Sequence, residues 1–507
     1  MGRDLPFSPA ASSPVCRDWR DARGRQKQDD RMTEPYISRG RSPYSHGPWL
    51  LLVIVLIVLF LSRSALGADP ATDGAPQVNL GTFASPAEAN PVNLGFAANP
   101  RASSSFLGNG LLGRTMGFGP NSGVTIGGIL VGSGNWLISG GVKSGSTSGT
   151  VALGLNVNID TEKAFGLPGG QFAAEFGAWT GQNVNGDAGS VQNYNTVATQ
   201  APFDRDELLQ LWWRQKLFND KLIIKVGKIN ATGDFGVVLS PAFVNQPYLQ
   251  DWTISGLLYV PPGLNPTLFG RLPGYPNTAY GLEVTLEPTR QIYLSYGIFD
   301  GNNARGFQTG LYAGPHVNTY KFDIGEIGFQ WRLGPQGKPG LAGIGAWGQT
   351  GRLLTPYLTY ENGATGFYAF GNQRLWYRHP GKDTSGIIGF LQYGYTGDRA
   401  AEVNEYIGGG LTAVALVPRR PADSMGIGVA WSRLNRGPFA GAFFFPDVTS
   451  TSTALRKSEF MMQVYYQAVL IPWTLVLEPA YTYIPTPGAR PGLPAAHVLT
   501  ADLIALF

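Results

Sequence analysis

A glycine motif near residue 110 is the first feature whose residue types and spacing match a known chemistry. Gly108, Gly110 and Gly113 fit the G-x-G-x-x-G pattern with which dinucleotide-binding proteins hold a pyrophosphate. That chemistry needs a strand before the motif and a helix that begins within it. Here the polar run ASSSF precedes the glycines, and MGFGPNSG comes after them. We therefore predict no nucleotide site and no bound cofactor.

Residues that could act as nucleophiles or metal ligands are sparse. The sequence has no G-x-S-x-G motif, the serine-bearing turn of α/β-hydrolases. Beyond residue 67 its histidines are His316, His379 and His497, and their separation does not match metal-ligand spacing. The single cysteine, Cys16, gives neither a disulfide nor a cysteine-based metal site. We predict that the protein is not an enzyme and holds no metal.

Polar residues that could contact a solute without catalysis lie in the stretch Leu208–Gly236. Two extended runs face each other across Asn219-Asp220, a pair typical of a tight hairpin turn. The second run alternates two sets, namely Leu222, Ile224 and Val226 against Lys221, Ile223, Lys225 and Gly227. One face of this strand is therefore apolar, and the other carries cations. A soluble sheet would bury the apolar face, whereas a membrane barrel would turn it to lipid.

The same alternation recurs along the chain and favours the barrel. Val151–Asp160, VALGLNVNID, has apolar residues on one face and small or polar residues on the other. Similar runs are Tyr280–Glu287, Glu326–Leu333, Ile387–Tyr395, Gly426–Trp431 and Phe460–Leu470, with long loops at 182–206, 300–320 and 435–458. After residue 67 no apolar run approaches the roughly 18 residues of a spanning helix, whereas alternating runs of about 9–11 residues fit a closed barrel. We predict an all-β, transmembrane antiparallel barrel over residues 107–507.

Charged side chains on the polar face of these runs are predicted to line a wet lumen. The residues Asp160, Lys225, Glu283 and Arg332 are expected to be solvated lining. Trp212-Trp213-Arg214 must straddle the wall, because adjacent strand residues point to opposite sides. One tryptophan therefore faces lipid, and the other faces the lumen.

Composition agrees with this fold class. The chain contains 69 glycines, 12% aromatic residues and 14% charged residues, whereas ordinary globular domains carry about 25% charged residues. Residues 1–67 hold ten Lys/Arg and six Asp/Glu, which accounts for the whole formal charge of +4. The remaining chain is close to neutral, so a nucleic-acid partner has no electrostatic support.

The N-terminal region is typical of an export signal. Trp49–Leu61 is a run of thirteen apolar residues, too short for a spanning helix of about 20 residues and within the range of about 7–15 of a signal-peptide core. Arg39 and Arg41 supply positive charge before it, and Ala65 and Gly67 supply small residues after it. We assign residues 1–67 to an N-terminal extension and signal peptide, and 68–106 to a flexible periplasmic leader rich in Ala, Pro, Asn and Ser.

The chain ends in an alternating run that an aromatic residue closes. One face carries Leu499, Ala501, Leu503, Ala505 and Phe507, and the other carries Thr500 and Asp502. A terminal aromatic on such a strand resembles the assembly signal of outer-membrane barrels. We therefore predict that Phe507 contacts the barrel assembly machinery and that the protein resides in the bacterial outer membrane, surrounded by its lipid.

Several stretches resemble the carbohydrate-selective porin family of bacterial outer membranes (OprB type). They are Asp160–Gly170, the hairpin LWWRQKLFNDKLIIKVGKINATGDF, Tyr275–Gly281, Gly409–Trp431 and Glu459–Gly488, together with His497 and Phe507. The resemblance covers residues 105–507. It implies an antiparallel barrel of about sixteen strands, with about eighteen also fitting the length, whose narrow constriction passes sugars, often in a trimer. A porin for a non-sugar solute and an outer-membrane barrel hydrolase are the alternatives.

The resemblance also points to Arg114 and Trp212 as constriction residues, beside Arg214, Lys225, Asp160 and Glu283. Arg114 falls where the family has an early arginine, and its fixed donors could fork onto vicinal sugar hydroxyls. Trp212 matches a family tryptophan and could stack on the apolar face of a pyranose. For both residues the alternative is lumen lining with no ligand role. Two departures leave specificity open: GNGLLGRTMGFG replaces the family's early Trp-Gly-Gly element, and ARPGLP replaces an asparagine-rich turn.

Processing of the N-terminus is the first testable expectation. The mature protein should begin at Ala68, because Ala65 and Gly67 form the best small pair after the apolar run. N-terminal sequencing of protein from outer membranes measures this. Retention of Trp49–Leu61 would show an anchored protein instead.

Overall fold

The computed structural model describes residues 110–507 except for a set of connecting segments. Those segments are 120, 196, 198–204, 239–256, 259–264, 275–276, 290, 303–319, 356–358, 381, 384, 398, 400, 436–457, 473 and 491. The predicted signal segment 1–67 and leader 68–106 lie outside the described residues. Within the described residues three short helices accompany the strands: α1 (Leu111–Thr115), α2 (Thr161–Phe165) and α3 (Val184–Ala188). Short 3-10 turns occur at Ala231–Gly233, Pro266–Leu268 and Pro487–Ala489.

Sixteen antiparallel strands within the described residues close into one barrel. They are β1 (Val124–Ser139), β2 (Thr147–Asp160), β3 (Gly170–Gly181), β4 (Arg205–Leu217), β5 (Leu222–Ile229), β6 (Ala279–Leu286), β7 (Ile292–Asp300), β8 (Lys321–Leu333), β9 (Lys338–Leu354), β10 (Tyr360–Tyr377), β11 (Gly386–Thr396), β12 (Val403–Val414), β13 (Ser424–Leu434), β14 (Ser458–Ile471), β15 (Leu475–Ile484) and β16 (Ala496–Leu506). Each strand pairs with its sequence neighbours, and β1 pairs with β16. The predicted barrel is confirmed with sixteen strands rather than eighteen.

The predicted alternation of apolar and polar residues forms the wall. In β2, Leu155 and Val157 lie half-buried on the outer face, whereas Asn156 and Asn158 are buried on the inner face. In β5, 48% of Val226 is exposed on the outside. Lipid would solvate these outer residues, and the inner face is left to polar groups and small residues. None of the described helices is long and apolar enough to cross a membrane.

The hairpin turn between β4 and β5 confirms the sequence interpretation of that stretch. Asn219 and Asp220 have φ angles of 57° and 65°, the left-handed conformation that tight hairpin turns need. Leu217 and Leu222 are paired across the turn, which sets the register of both strands. The two extended runs that the sequence predicts to face each other are therefore paired.

Connection lengths differ between the two ends of the barrel. One end has the connections 161–169, 218–221, 287–291, 334–337, 378–385, 415–423 and 472–474. The other end has 140–146, 182–204, 230–278, 301–320, 355–359, 397–402, 435–457 and 485–495. Outer-membrane barrels have short periplasmic turns and longer extracellular loops, so the first end is the periplasmic one. The longest connection, 230–278 between β5 and β6, did not stand out in the sequence.

Phe507 lies at the junction where β1 and β16 close the barrel. Its backbone N–H donates to the carbonyl of Gly128 over 3.0 Å, and its own carbonyl accepts from the N–H of Gly128 over 2.8 Å. A Cβ atom added at Gly128 would lie 2.7 Å from Cζ of Phe507. Because Gly128 has no side chain, the phenyl ring of Phe507 can occupy the space over β1.

Deletion of Phe507 should lower the yield of folded barrel, because it removes a backbone pair and a ring from the closing junction. Channels that do form should conduct as the wild type does. Gly128→Val should also lower the yield, since its side chain would meet both the carbonyl of Gly154 on β2 and the ring of Phe507, whereas Leu503→Ala on the exposed face of β16 is the control. Heat-modifiable mobility in electrophoresis measures yield, and planar-bilayer recording measures conductance. A normal yield with altered conductance would contradict the assignment.

Candidate functional site

A row of charged side chains crosses the inner wall from β4 to β6. Arg214 is paired with Lys225 across β4 and β5, and Lys225 is paired with Glu283 across β5 and β6. All three are buried on the inner face. We call Arg214, Lys225 and Glu283 the charged row. Three of the six predicted constriction residues are thus brought side by side by strand register alone.

Trp212 is the next inward residue before Arg214 on β4, as predicted, and Trp213 is 37% exposed on the outer face. The indole is held inside the wall, because Trp212 Nε1 donates to Gln210 Oε1 over 3.0 Å. Lys225 Nζ lies 4.7 Å from the centroid of the indole ring, a cation–π contact. Only 1% of Trp212 is exposed. Stacking of a pyranose on this ring stays a prediction, and it would require neighbouring groups to move.

Lys225 differs from the predicted solvated lining. It is 2% exposed, and its Nζ lies 2.6 Å from Asp234 Oδ2 and 3.9 Å from Glu283 Oε2. The prediction of a wet Lys225 and a wet Glu283 was therefore wrong. The physical reason is that the connection after β5 folds into the lumen and places Asp234 over the wall. Sequence alternation reports which face a residue occupies, but not what covers that face.

Of the other predicted residues, Asp160 lies in register with the charged row, because it is paired with Gln171 on β3 and Gln171 is paired with Arg214 on β4, whereas Arg332 lies apart on β8. Asp160 ends β2, and its Oδ1 accepts from the N–H groups of Glu162 and Lys163, so it caps α2 and is not simple lumen lining. Arg332 lies on the inner face of β8, where Nη1 donates to the carbonyl of Gly337 over 3.1 Å.

Arg114 lies on α1, next to the start of β1 and therefore at the periplasmic end of the barrel. A Cβ atom added at Gly113 would lie 2.9 Å from the backbone nitrogen of Ile126, so α1 contacts β1 closely. Burial lowers the pKa of the Arg114 guanidinium. Trp212 lies in a different element, the wall strand β4. A mixed sugar site made by Arg114 and Trp212 stays a prediction.

In the connection 230–278, called the β5–β6 loop, the described segment 230–238 folds into the lumen and is held by Glu326 of β8. Glu326 Oε2 accepts from the N–H of Gly236 over 2.6 Å. The hydroxyls of Tyr293 and Tyr368 donate to Oε1 and Oε2 of the same carboxylate, each over 2.7 Å. On β10, Asn372 Nδ2 donates to the carbonyl of Val238 over 2.6 Å. The loop thus crosses from β5 to the β8–β10 wall.

In the connection 182–204, called the β3–β4 loop, the described segment 182–195 is held inside the lumen by Glu459 of β14. The carboxylate accepts from Ser190 Oγ over 2.9 Å, from Gln192 N over 3.0 Å and from Val191 N over 3.1 Å. It also accepts from the N–H of Gly488 in the β15–β16 connection over 2.5 Å. This buried carboxylate therefore binds two connections from the extracellular end.

Sequence reasoning did not assign a role to Asp234, Glu326 or Glu459. The signal for the two glutamates was present, because each is the polar member of an alternating strand. Their partners were not readable, since those partners come from loops distant in sequence. Asp234 lies just after β5 in the hairpin motif, but only the folded loop brings it to Lys225.

Histidines form no metal site in the described part of the chain. His379 lies in a periplasmic turn with Nδ1 3.0 Å from Asp383 Oδ2, and His497 lies on β16 beside the hydroxyl of Tyr481. His316 falls outside the described residues. Among the residues that the structure describes, no group of three or more His, Cys, Asp or Glu is placed to hold a metal ion.

A closed barrel with an apolar outer face, a polar inner face and long loops folded into its lumen defines an outer-membrane channel of the porin class. The sequence profile described as "Carbohydrate-selective porin, OprB family" matches residues 144–502. The chain belongs to that family, and it is therefore a saccharide-selective porin of the outer membrane.

One solved structure supports this fold, and two others align less closely. OprB of Pseudomonas putida at high pH aligns with a TM-score of 0.64 at 18% identity, covering 76% of this chain and 95% of that one. The low-pH structure of the same protein aligns at 0.47 and 15% identity, covering 79% and 97%. The DcaP channel of Acinetobacter baumannii aligns at 0.42 and 10% identity, covering 76% and 97%. No protein of curated function matches the sequence.

Lys225→Met should lower the free energy of unfolding by about 3 kcal/mol, because Asp234 and Glu283 would lose the buried ammonium between them. Lys221→Met, an exposed lysine in the adjacent turn, is the matched control and should change stability little. Urea unfolding of the barrel in lipid vesicles measures both. Equal effects of the two substitutions would contradict the role of the charged row.

Proposed function

We propose that the barrel lets neutral saccharides diffuse passively and that the charged row supports their path. The support is the convergence of Arg214, Lys225 and Glu283 on one stretch of inner wall, in a chain of the carbohydrate-selective family. Sugars carry donors and acceptors on every carbon that bears a hydroxyl. A wall with both cationic donors and carboxylate acceptors can replace part of their hydration shell.

The interactions must remain weak for passage to be fast. A channel conducts only if binding permits both entry and exit. In the charged row Lys225 already has a close partner, because its Nζ lies 2.6 Å from Asp234 Oδ2. A sugar therefore competes with contacts that are already made, which limits the gain in binding free energy. This arrangement suits transport better than tight binding.

The proposed passage involves no catalytic step. One periplasmic turn contains the residue types of a hydrolase triad, so its geometry is relevant to the hydrolase alternative. His379, Asp383 and Ser385 share the periplasmic turn 378–385. The Ser385 hydroxyl donates to the Asp383 carboxylate, and His379 presents Nδ1 to both. In a hydrolase triad the histidine lies between the hydroxyl and the carboxylate. In this turn the Ser385 hydroxyl instead donates directly to the Asp383 carboxylate. Turnover of ester or peptide substrates by refolded protein would overturn this proposal.

We further propose export by a cleaved signal peptide, assembly through Phe507 and association as a homotrimer. The middle of the outer face of β1 supports a protein contact, because it carries Gly132 and Gly134 where other strands carry large apolar residues. By contrast, Phe367 of β10 and Leu391 of β11 are well exposed to the surrounding lipid. Cross-linking of the folded protein in outer-membrane extracts measures the oligomeric state; a monomer would contradict this.

Two substitutions should separate charge selectivity from sugar binding. Arg114→Ala should move the reversal potential towards cations, because it removes positive charge at the periplasmic end. Trp212→Ala should weaken glucose block by about 1 kcal/mol, because the indole and its hold on Lys225 are lost. Its reversal potential should stay near the wild-type value. A planar-bilayer experiment records both quantities for each variant.

The wild-type channel provides the decisive comparison. If neutral sugars neither block nor cross it while salt still conducts, the solute is not a sugar, and the non-sugar porin is the right alternative. If both variants match the wild type on both measures, Arg114 and Trp212 are lumen lining without a ligand role.

A further inference from the structure

Gln463 on the inner face of β14 contacts both loops that fold into the lumen. It is fully buried, with 0% of its surface exposed. Its Nε2 donates to the carbonyl of Tyr194 in the β3–β4 loop over 3.1 Å. Its Oε1 accepts from the N–H of Leu258 in the β5–β6 loop over 2.6 Å. One side-chain amide thus joins two loops that begin on different strands.

The barrel wall fixes the position of this amide. Nε2 of Gln463 also donates to Thr482 Oγ1 on β15 over 2.7 Å. Both amide donors and the acceptor are therefore engaged, and the orientation of the amide plane follows from these three contacts. The two loop atoms are consequently held relative to β14 and β15, and to each other.

The two loops have further attachments on separate parts of the wall. The β3–β4 loop is bound by Glu459, two inward positions before Gln463 on β14 (with Met461 between). The β5–β6 loop is bound by Glu326 on β8 near its beginning and, through Asn265, by the carbonyl of Tyr393 on β11. From β14, Gln463 contacts the β5–β6 loop at Leu258, away from both of those attachments. It therefore lies where the two loops meet.

We propose that Gln463 is a positioning residue that sets the size limit for saccharides by tying the two lumen loops together. This inference rests on the passive sugar passage proposed above. How far each loop projects into the lumen determines the open width, and width is a main determinant of which solutes pass. Without the amide, the Leu258 N–H and the Tyr194 carbonyl lose a buried partner and must find others by moving.

Gln467, two inward positions further along β14 (with Tyr465 between), supplies a matched control. It is also a buried glutamine on the inner face. Its Nε2 donates to Glu478 Oε2 over 2.7 Å, and its Oε1 accepts from Ser424 Oγ over 3.0 Å. These partners belong to the strands β15 and β13, not to the lumen loops. A substitution at Gln467 therefore disturbs the same strand without releasing the contacts at Gln463.

The test compares Gln463→Leu with Gln467→Leu in liposome swelling with a monosaccharide, a disaccharide and a trisaccharide. Only heat-modifiable, folded protein is reconstituted. In Gln463→Leu the ratio of trisaccharide to monosaccharide rates should rise by about twofold or more, and single-channel conductance in salt should increase. In Gln467→Leu both should remain at the wild-type level. A wild-type ratio in Gln463→Leu, or an equal change in Gln467→Leu, would overturn the proposal.

Gln463→Glu keeps the test decisive if Gln463→Leu does not fold. The carboxylate retains an acceptor for the Leu258 N–H but has no donor for the Tyr194 carbonyl. It should shift the size ratio in the same direction, and a wild-type ratio would count against the proposal. The wild type separates the two hypotheses: if it passes no sugar, the proposed function fails, whereas a permeable wild type with unchanged variants refutes only the role of Gln463.

Discussion

The structure depends first on closure of the sheet. A strand in lipid cannot leave its backbone N–H and C=O groups without partners, so the last strand must pair with the first. Here that junction is the pairing of β1 with β16, which ends in the reciprocal hydrogen bonds between Phe507 and Gly128. Once the barrel is closed, alternation along each strand divides every side chain between lipid and lumen. The polar contacts inside the lumen depend on this division of side chains between lipid and lumen.

The lumen then poses the opposite problem, because loops that fold into it bring backbone amides that need partners. Carboxylates on the inner wall meet this need. Glu459 accepts from Val191, Gln192 and Gly488, and Glu326 accepts from Gly236. A buried carboxylate surrounded by several donors is far better stabilised than an isolated one. The acidic residues of the wall therefore position the loops, in addition to any effect on a passing solute.

The same reasoning changes how the charged row is understood. Lys225 has Asp234 at 2.6 Å and the indole of Trp212 beneath it, so its charge is balanced before any solute arrives. A balanced wall presents donors and acceptors without a large net field, which suits neutral saccharides. Trp212 contributes to the properties of the inner wall through its contact with Lys225 as much as through its own indole surface. Width, set by the loops, and polarity, set by the row, are thus controlled by different residues.

The sequence by itself determined the fold class, the strand faces and the hairpin at Asn219-Asp220. These depend on local alternation and turn chemistry, which can be read from neighbouring residues. Strand alternation also predicted that Lys225 and Glu283 face the lumen, and the tight turn sets the register of Arg214 against Lys225. Only the tertiary structure decided what covers that face. The contact of Lys225 with Asp234, like the convergence of two loops on Gln463, joins segments whose approach depends on closure of the barrel and on the path of long loops, and no local pattern encodes that path.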